Sequence, residues 1–172
     1  MDRETVEILA RMTRSEESNH EQDEVLYASF IELFIESMSD YMQVTAKKLE
    51  ISELHESKNF YVASQRIYGD VDIICSIVAD SEAALKFAEK FSEEEFAEVD
   101  DMVADSLMEF LNVVNGIFSI QVASRKLEAE LAAPQWGKIS ELDSKSKTIY
   151  KVSSDALKDF YVVLSSVEIF DA

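Results

Sequence analysis

The chain has 172 residues, 47% of them hydrophobic, and 16 Lys and Arg against 35 Asp and Glu give a net charge of −19. That apolar content can build a core, but no basic surface exists to neutralise phosphates or anionic lipid, so neither nucleic acid nor a membrane is expected as a partner. One Cys excludes a disulfide framework and a Cys-rich zinc site, and 3 Gly with 1 Pro argue against a turn-rich all-β fold and a glycine-looped nucleotide enzyme.

No run of about 18 apolar residues occurs, so no transmembrane helix is expected. The N-terminal sequence lacks the apolar centre of a signal peptide, and a cytoplasmic location is the expectation. Residues 4–12 carry the pattern of a short amphipathic helix and residues 15–23 read as a polar linker. The division is therefore 1–23, N-terminal helix and linker, and 24–172, one domain.

From Glu24 to about Leu49, Leu26, Phe30, Leu33, Phe34, Ser37, Met38 and Tyr41 recur at three- and four-residue spacing, which predicts a long helix with one buried stripe. Residues 52–58 read as a loop. Residues 59–68 and 71–79, rich in β-branched and aromatic side chains around Gly69 and Asp70, predict a hairpin. Cys75 falls in its apolar second strand and reads as an inert buried thiol.

Asp80 or Ser81 begins a helix to about Phe91, with Ala84, Leu85 and Ala88 facing in. Ser92 and Glu95 have capping-box spacing. They predict a second long helix from about Glu94 to about Lys126, with a break at Val99–Asp100. Residues 128–133 read as a strand stopped by Pro134, residues 135–147 as a loop or hairpin, and 148–153 and 158–170 as strands. Hairpin neighbours without crossovers give an α+β class: an antiparallel sheet with two long helices packed on it. The order helix-strand-strand recurs, which suggests pseudo-repeated units.

The chemistry concentrates in residues 101–120. Val103, Leu107, Phe110, Leu111, Val114, Ile117 and Phe118 share one broad helical arc, the core. Asp101, Asp105, Glu109, Asn112 and Gly116 step by four, four, three and four along the opposite side. Met102 and Val113 flank that line. The acids alone fit a solvated helix face. Asn and Gly are costly mid-helix, Gly by about 1 kcal/mol relative to Ala, so two of them on one line suggest that something is read there.

The pattern Asp105, Glu109, Asn112, Gly116 resembles the signature helix of the CheC/CheX/FliY chemotaxis phosphatases: an acid or Ser, then ExxN, then Gly. The hairpin and Ala-rich helix over 69–91, and Pro134 after 128–133, are similar to the same family. In the first long helix the equivalent positions are Glu32, Glu36 and Ser39, so Ser stands where Asn would be. One intact and one degenerate helix resemble the CheX branch. Two departures are Ile117, where the family usually has Asn, and Asp72, where a Gly is common.

The resemblance implies hydrolysis of the aspartyl phosphate on a CheY-like receiver in chemotaxis or two-component signalling. Asn112 would hold the attacking water, and Glu109 would pair with the receiver's Lys. Asp105, Met102, Val113 and Gly116 would form the partner contact. No cofactor of its own is implied, Mg²⁺ belonging to the receiver, and a homodimer through an open sheet edge is plausible. The alternative is a non-catalytic receiver-binding or flagellar-switch-type module with the same fold. Residues 92–124 carry eight acids and no Lys or Arg, which calls for a partner surface bearing a cation. His20 and His55 lie in polar segments and support no His-dependent nucleophile.

Overall fold

A computed structural model describes residues 2–5, 20–124 and 126–170. From His20 on, the described residues form three helices and seven strands, in chain order: α1 (His20–Met42), β1 (Ala46–Ile51), β2 (His55–Gly69), β3 (Ile73–Ala79), α2 (Ser81–Ser92), α3 (Asp101–Ala123), β4 (Ala129–Leu131), β5 (Gln135–Asp143), β6 (Thr148–Ser154) and β7 (Phe160–Ser165). All strand pairs are antiparallel, in the order β1-β6-β7-β3-β2, with β4 and β5 both against the far side of β2. The expected α+β class is found.

The strand order is symmetric about the central β3–β7 pair. Each half supplies a long helix (α1 or α3), an outer strand (β1 or β4/β5) and a hairpin (β2–β3 or β6–β7). Each outer strand pairs with the other half's hairpin: β1 with β6, and β4/β5 with β2. The repeated units suggested by the sequence are thus interlocked by strand exchange. α1 and α3 are corresponding helices.

Alternation along the strands separates two cores. Ala63, Ile67, Ile73, Cys75, Ile77 and Ala79 face the helices, where they meet Phe30, Phe34, Phe87, Phe110 and Phe118. Phe60, Val62, Val78, Ile139, Ile149 and Val163 form a smaller cluster on the back, closed by Ile169 and Phe170. β3 is buried on both faces, which explains its unbroken apolar sequence. Among the described residues α3 alone is long and apolar enough, by length and composition, to cross a membrane. Its apolar face, however, is packed in the core.

The boundaries differ from expectation in several places. Residues 20–23 are helical, not linker; 3–5 are helical too, and the rest of the segment to 19 lies outside the described residues. α1 ends at Met42 because Gln43 turns left-handed (φ 55°), and the amides of Gln43 and Val44 close on the carbonyls of Ser39 and Met38. The chain then reverses into β1, which the helical spacing had hidden. Met38 and Met42 finish the buried stripe, and Tyr41 is 48% exposed.

β2 begins at His55, not 59, because β5 runs beside it with His55 opposite Asp143. The same pairing makes 135–143 a strand despite its polar, Gly-containing sequence. Gly137 makes room for the Phe170 ring, which a Cβ there would meet at 2.6 Å. β4 and β5 act as one edge strand interrupted near Pro134. Residues 166–170 leave the sheet to cover its back.

In the hairpin, Gly69 has φ +121°, and a Cβ on it would strike the Glu128 carbonyl at 2.7 Å. The turn is tied to that segment by Asp70 N to Glu128 O (2.8 Å) and Glu128 N to Asp70 Oδ2 (2.7 Å). Asp72 receives two hydrogen bonds from Arg66 on the facing strand.

Asp80 caps α2, accepting from Ala83 N at 2.8 Å. Ala83, Ala84, Phe87 and Ala88 are buried, and Leu85 is only half-buried, one position off the expected face. The Ser92 capping box does not form. Ser92 is the last residue of α2 and donates to Ala88 O, and Glu93 (φ 59°) ends the helix. α3 starts at the expected break instead, with Asp100 Oδ1 accepting from Met102 N and Val103 N at 3.0 Å each.

Candidate functional site

α3 is held by its core side. Val103, Leu107, Phe110, Leu111, Val114 and Phe118 are all buried, which leaves the opposite line facing out. Asp101, Asp105 and Glu109 are exposed, and Asn112 and Gly116 are half-buried. Met102 is 55% exposed at the N-terminal end, and Val113 is half-buried.

A hollow opens on each side of this ridge. One, of about 360 Å³, is lined by Asp105, Met108, Glu109, Asn112 and Pro134. The other, of about 410 Å³, is lined by Phe91, Ser92, Met102, Asp105, Ser106 and Glu109. The fold therefore brings Asp105, Glu109 and Asn112 together, and adds Met102 across the ridge. Val113 and Gly116 line neither hollow. A Cβ built on Gly116 meets nothing within 4 Å, so nothing inside this chain requires glycine there.

Asn112 is not the free surface amide that its place on the line suggests. Its Oδ1 accepts from Gln65 Nε2 at 2.7 Å. Gln65 Nε2 also donates to the Ala132 carbonyl at 2.9 Å, and Gln65 Oε1 accepts from Asn115 Nδ2 at 2.8 Å. Gln65 is 1% exposed and Asn115 is fully buried, with its Oδ1 unpaired among the described residues. Such an orphan oxygen costs about 1–3 kcal/mol.

Sequence reasoning passed over Gln65 and Asn115. The signal was present: Gln65 shares the helix-facing row of β2 with Ala63 and Ile67, and Asn115 adjoins the apolar arc of α3. Polar side chains in core rows are rare unless they bond one another.

In the degenerate counterpart, Glu32, Glu36 and Ser39 are exposed on α1, and Lys48 of β1 makes an ion pair with Glu32. Cys75 is buried, and burial pushes its thiol well above the ordinary value, away from nucleophilic use. His55 is exposed at the start of β2, away from α3; the side chain of His20 lies outside the described residues. Among the described residues no group of three His, Cys, Asp or Glu is arranged to hold a metal. The ridge thus offers carboxylates to pair with a cation and an oriented amide that both donates and accepts.

The family model for the chemotaxis phosphatase CheX matches residues 61–153, a stretch that contains the whole ridge together with Gln65 and Pro134. No curated protein matches the sequence. Among solved structures, the chain is similar to the chemotaxis protein CheX from Vibrio vulnificus, at 15% identity and a TM-score of 0.63, over 79% of this chain and 95% of that one. A CheC-like superfamily protein from Shewanella sp. PV-4 aligns at 17% identity and 0.61, over 78% and 92%. A CheX–CheY–BeF3–Mg²⁺ complex from Borrelia burgdorferi aligns at 20% identity and 0.59, over 79% and 94%. At these identities the structures share the fold. With more than half its length covered by the family model, the chain belongs to the chemotaxis phosphatase CheX family.

Proposed function

We propose that this protein dephosphorylates a phosphorylated CheY-like receiver domain, with Asn112 and Glu109 as the residues that touch the reacting centre. The observation that carries this reading is the Asn112 amide, held in one hollow with the Glu109 carboxylate on an acidic ridge. The solved CheX–CheY complex supports the choice of partner.

An aspartyl phosphate is hydrolysed when a water oxygen bonds to phosphorus as the bond to the aspartyl oxygen breaks, releasing inorganic phosphate and a free carboxylate. Phosphoryl transfer is mostly positioning and electrostatics, so one well-placed amide can carry much of the rate. The Nδ2 of Asn112 donates to a phosphoryl oxygen, while the second lone pair of Oδ1 accepts from the water. A carboxylate in its place would repel the phosphoryl group. Glu109, one turn earlier, pairs with the receiver's Lys and sets the register of docking. Asp105 adds negative charge, Met102 and Val113 add apolar contact, and Gly116 leaves room for close approach. Mg²⁺ is supplied by the receiver and neutralises its phosphoryl oxygens.

The test is phosphate release from a phosphorylated receiver with and without the protein. Catalytic acceleration supports the phosphatase reading. Tight binding with no added release supports the non-catalytic module instead.

A further inference from the structure

We propose that Gln65 is a positioning residue, which fixes the Asn112 amide with its carbonyl inward and its NH₂ outward. Its effect on turnover rests on the phosphatase reading above; the orientation does not.

The Ala132 backbone carbonyl sets the polarity, because it can only accept. It lies 2.9 Å from the Gln65 amide, so that end of Gln65 is the nitrogen. The other end is then Oε1, and it accepts from Asn115 Nδ2 at 2.8 Å. The second N–H of Gln65 points at Asn112 over 2.7 Å, where only an oxygen can receive it. A flipped Asn112 would set N–H against N–H. Three amides are therefore read in one direction from one backbone atom. With Gln65 1% exposed and Asn115 at 0%, solvent does not reach the Gln65–Asn115 bond, and the Gln65 amide meets Asn112 from the buried side.

Ala132 lies at the break between β4 and β5, and its own N–H donates to Arg66 O at 2.9 Å. Pro134, two residues on, lines the same hollow as Asn112. The segment that walls the hollow thus also orients the amide inside it. Both N–H groups of Gln65 are used and its Oε1 accepts from Asn115, and turning the amide over would set its oxygen against the Ala132 carbonyl.

The experiment compares wild type with Gln65→Met, a side chain of similar length with no donor. It measures kcat and KM for receiver dephosphorylation, and the NMR order parameter of the Asn112 side-chain amide. Expected are a kcat lower by roughly 10- to 100-fold with KM within about twofold. The amide order parameter should fall from a rigid value in the wild type to below about 0.6 in the variant. Unchanged kcat in a protein that otherwise turns over overturns the proposal. So does a loss carried wholly by KM, or an Asn112 amide already mobile in the wild type.

Should Gln65→Met fail to fold, Gln65→Glu, which keeps the shape of the side chain and removes the N–H donated to Asn112, must loosen or turn the Asn112 amide, and an unchanged rigid amide there overturns the proposal. A wild type that releases no phosphate, yet holds Asn112 rigid until Gln65 is changed, sinks the phosphatase reading and upholds the positioning role.

Discussion

Phe34 of α1 and Phe110 of α3 meet edge to face, with ring centroids 5.2 Å apart at 78°. Phe110 makes the same kind of contact with Phe87 and Phe91 of α2, at 5.1 and 5.4 Å. One ring therefore joins α1, α2 and α3 beneath the ridge that carries Glu109. Phe110→Ala should lower stability by about 3–5 kcal/mol, read by denaturant unfolding. A change below about 1 kcal/mol would contradict this packing.

Asn112→Ala should reduce receiver dephosphorylation by roughly 10²–10³-fold, the usual scale for one preorganised polar group. The stability effect differs from that of an exposed position. Loss of the Gln65 bond leaves a buried N–H without its acceptor, at about 1–3 kcal/mol, and removing a mid-helix Asn offsets part of that. The melting temperature should therefore fall by only several degrees while activity collapses. Asn112→Asp keeps an acceptor for Gln65 and loses the outward donor, so it should fold well and remain inactive.

The two corresponding helices make a paired test. On α1, Lys48 takes up Glu32 and Ser39 replaces the amide, so Glu36 has no oriented neighbour. Glu36→Ala should leave phosphate release unchanged, and Glu109→Ala should weaken receiver binding and turnover together. A larger loss from Glu36→Ala would move the site to α1.

Gly116 separates folding from docking. With open space where its Cβ would lie, Gly116→Ala should stabilise the free protein by up to about 1 kcal/mol. The same change should weaken receiver binding, and Gly116→Leu should weaken it further. Calorimetry on the free protein and titration with the phosphorylated receiver give the two readings. Unaltered affinity in both variants would remove the close approach from the docking surface.

Asp80 provides a pH signature. Burial by itself would raise its carboxyl, but the Lys58 hydrogen bond, the Ala83 amide and the Lys58 charge together hold it below the ordinary carboxylate value. A carboxyl lowered on folding contributes stability above its unfolded pKa and loses it as pH falls through the folded one. Asp80→Ala should therefore cost about 1 kcal/mol at neutral pH, as for other helix caps. The gap from wild type should close as pH drops below the ordinary carboxylate range. A gap that is constant down to the acid end would exclude this linkage.

The sequence by itself determined the α+β class, the hairpin about Gly69, the core stripes of α1 and α3, and the line from Asp105 to Gly116. Each is written in local periodicity: side chains three, four or two residues apart share a face whatever the rest of the chain does. The tertiary structure decided what local pattern cannot encode. β1 and β5 are strands because β6 and β2 lie beside them, and their own residues would serve a helix or a loop as well. The state of Asn112 was decided the same way. From the helix alone it is one more residue on a solvated line. Gln65, 47 residues away on β2, is brought under it only when the sheet closes against α3, and a hydrogen bond across that interface then orients the amide.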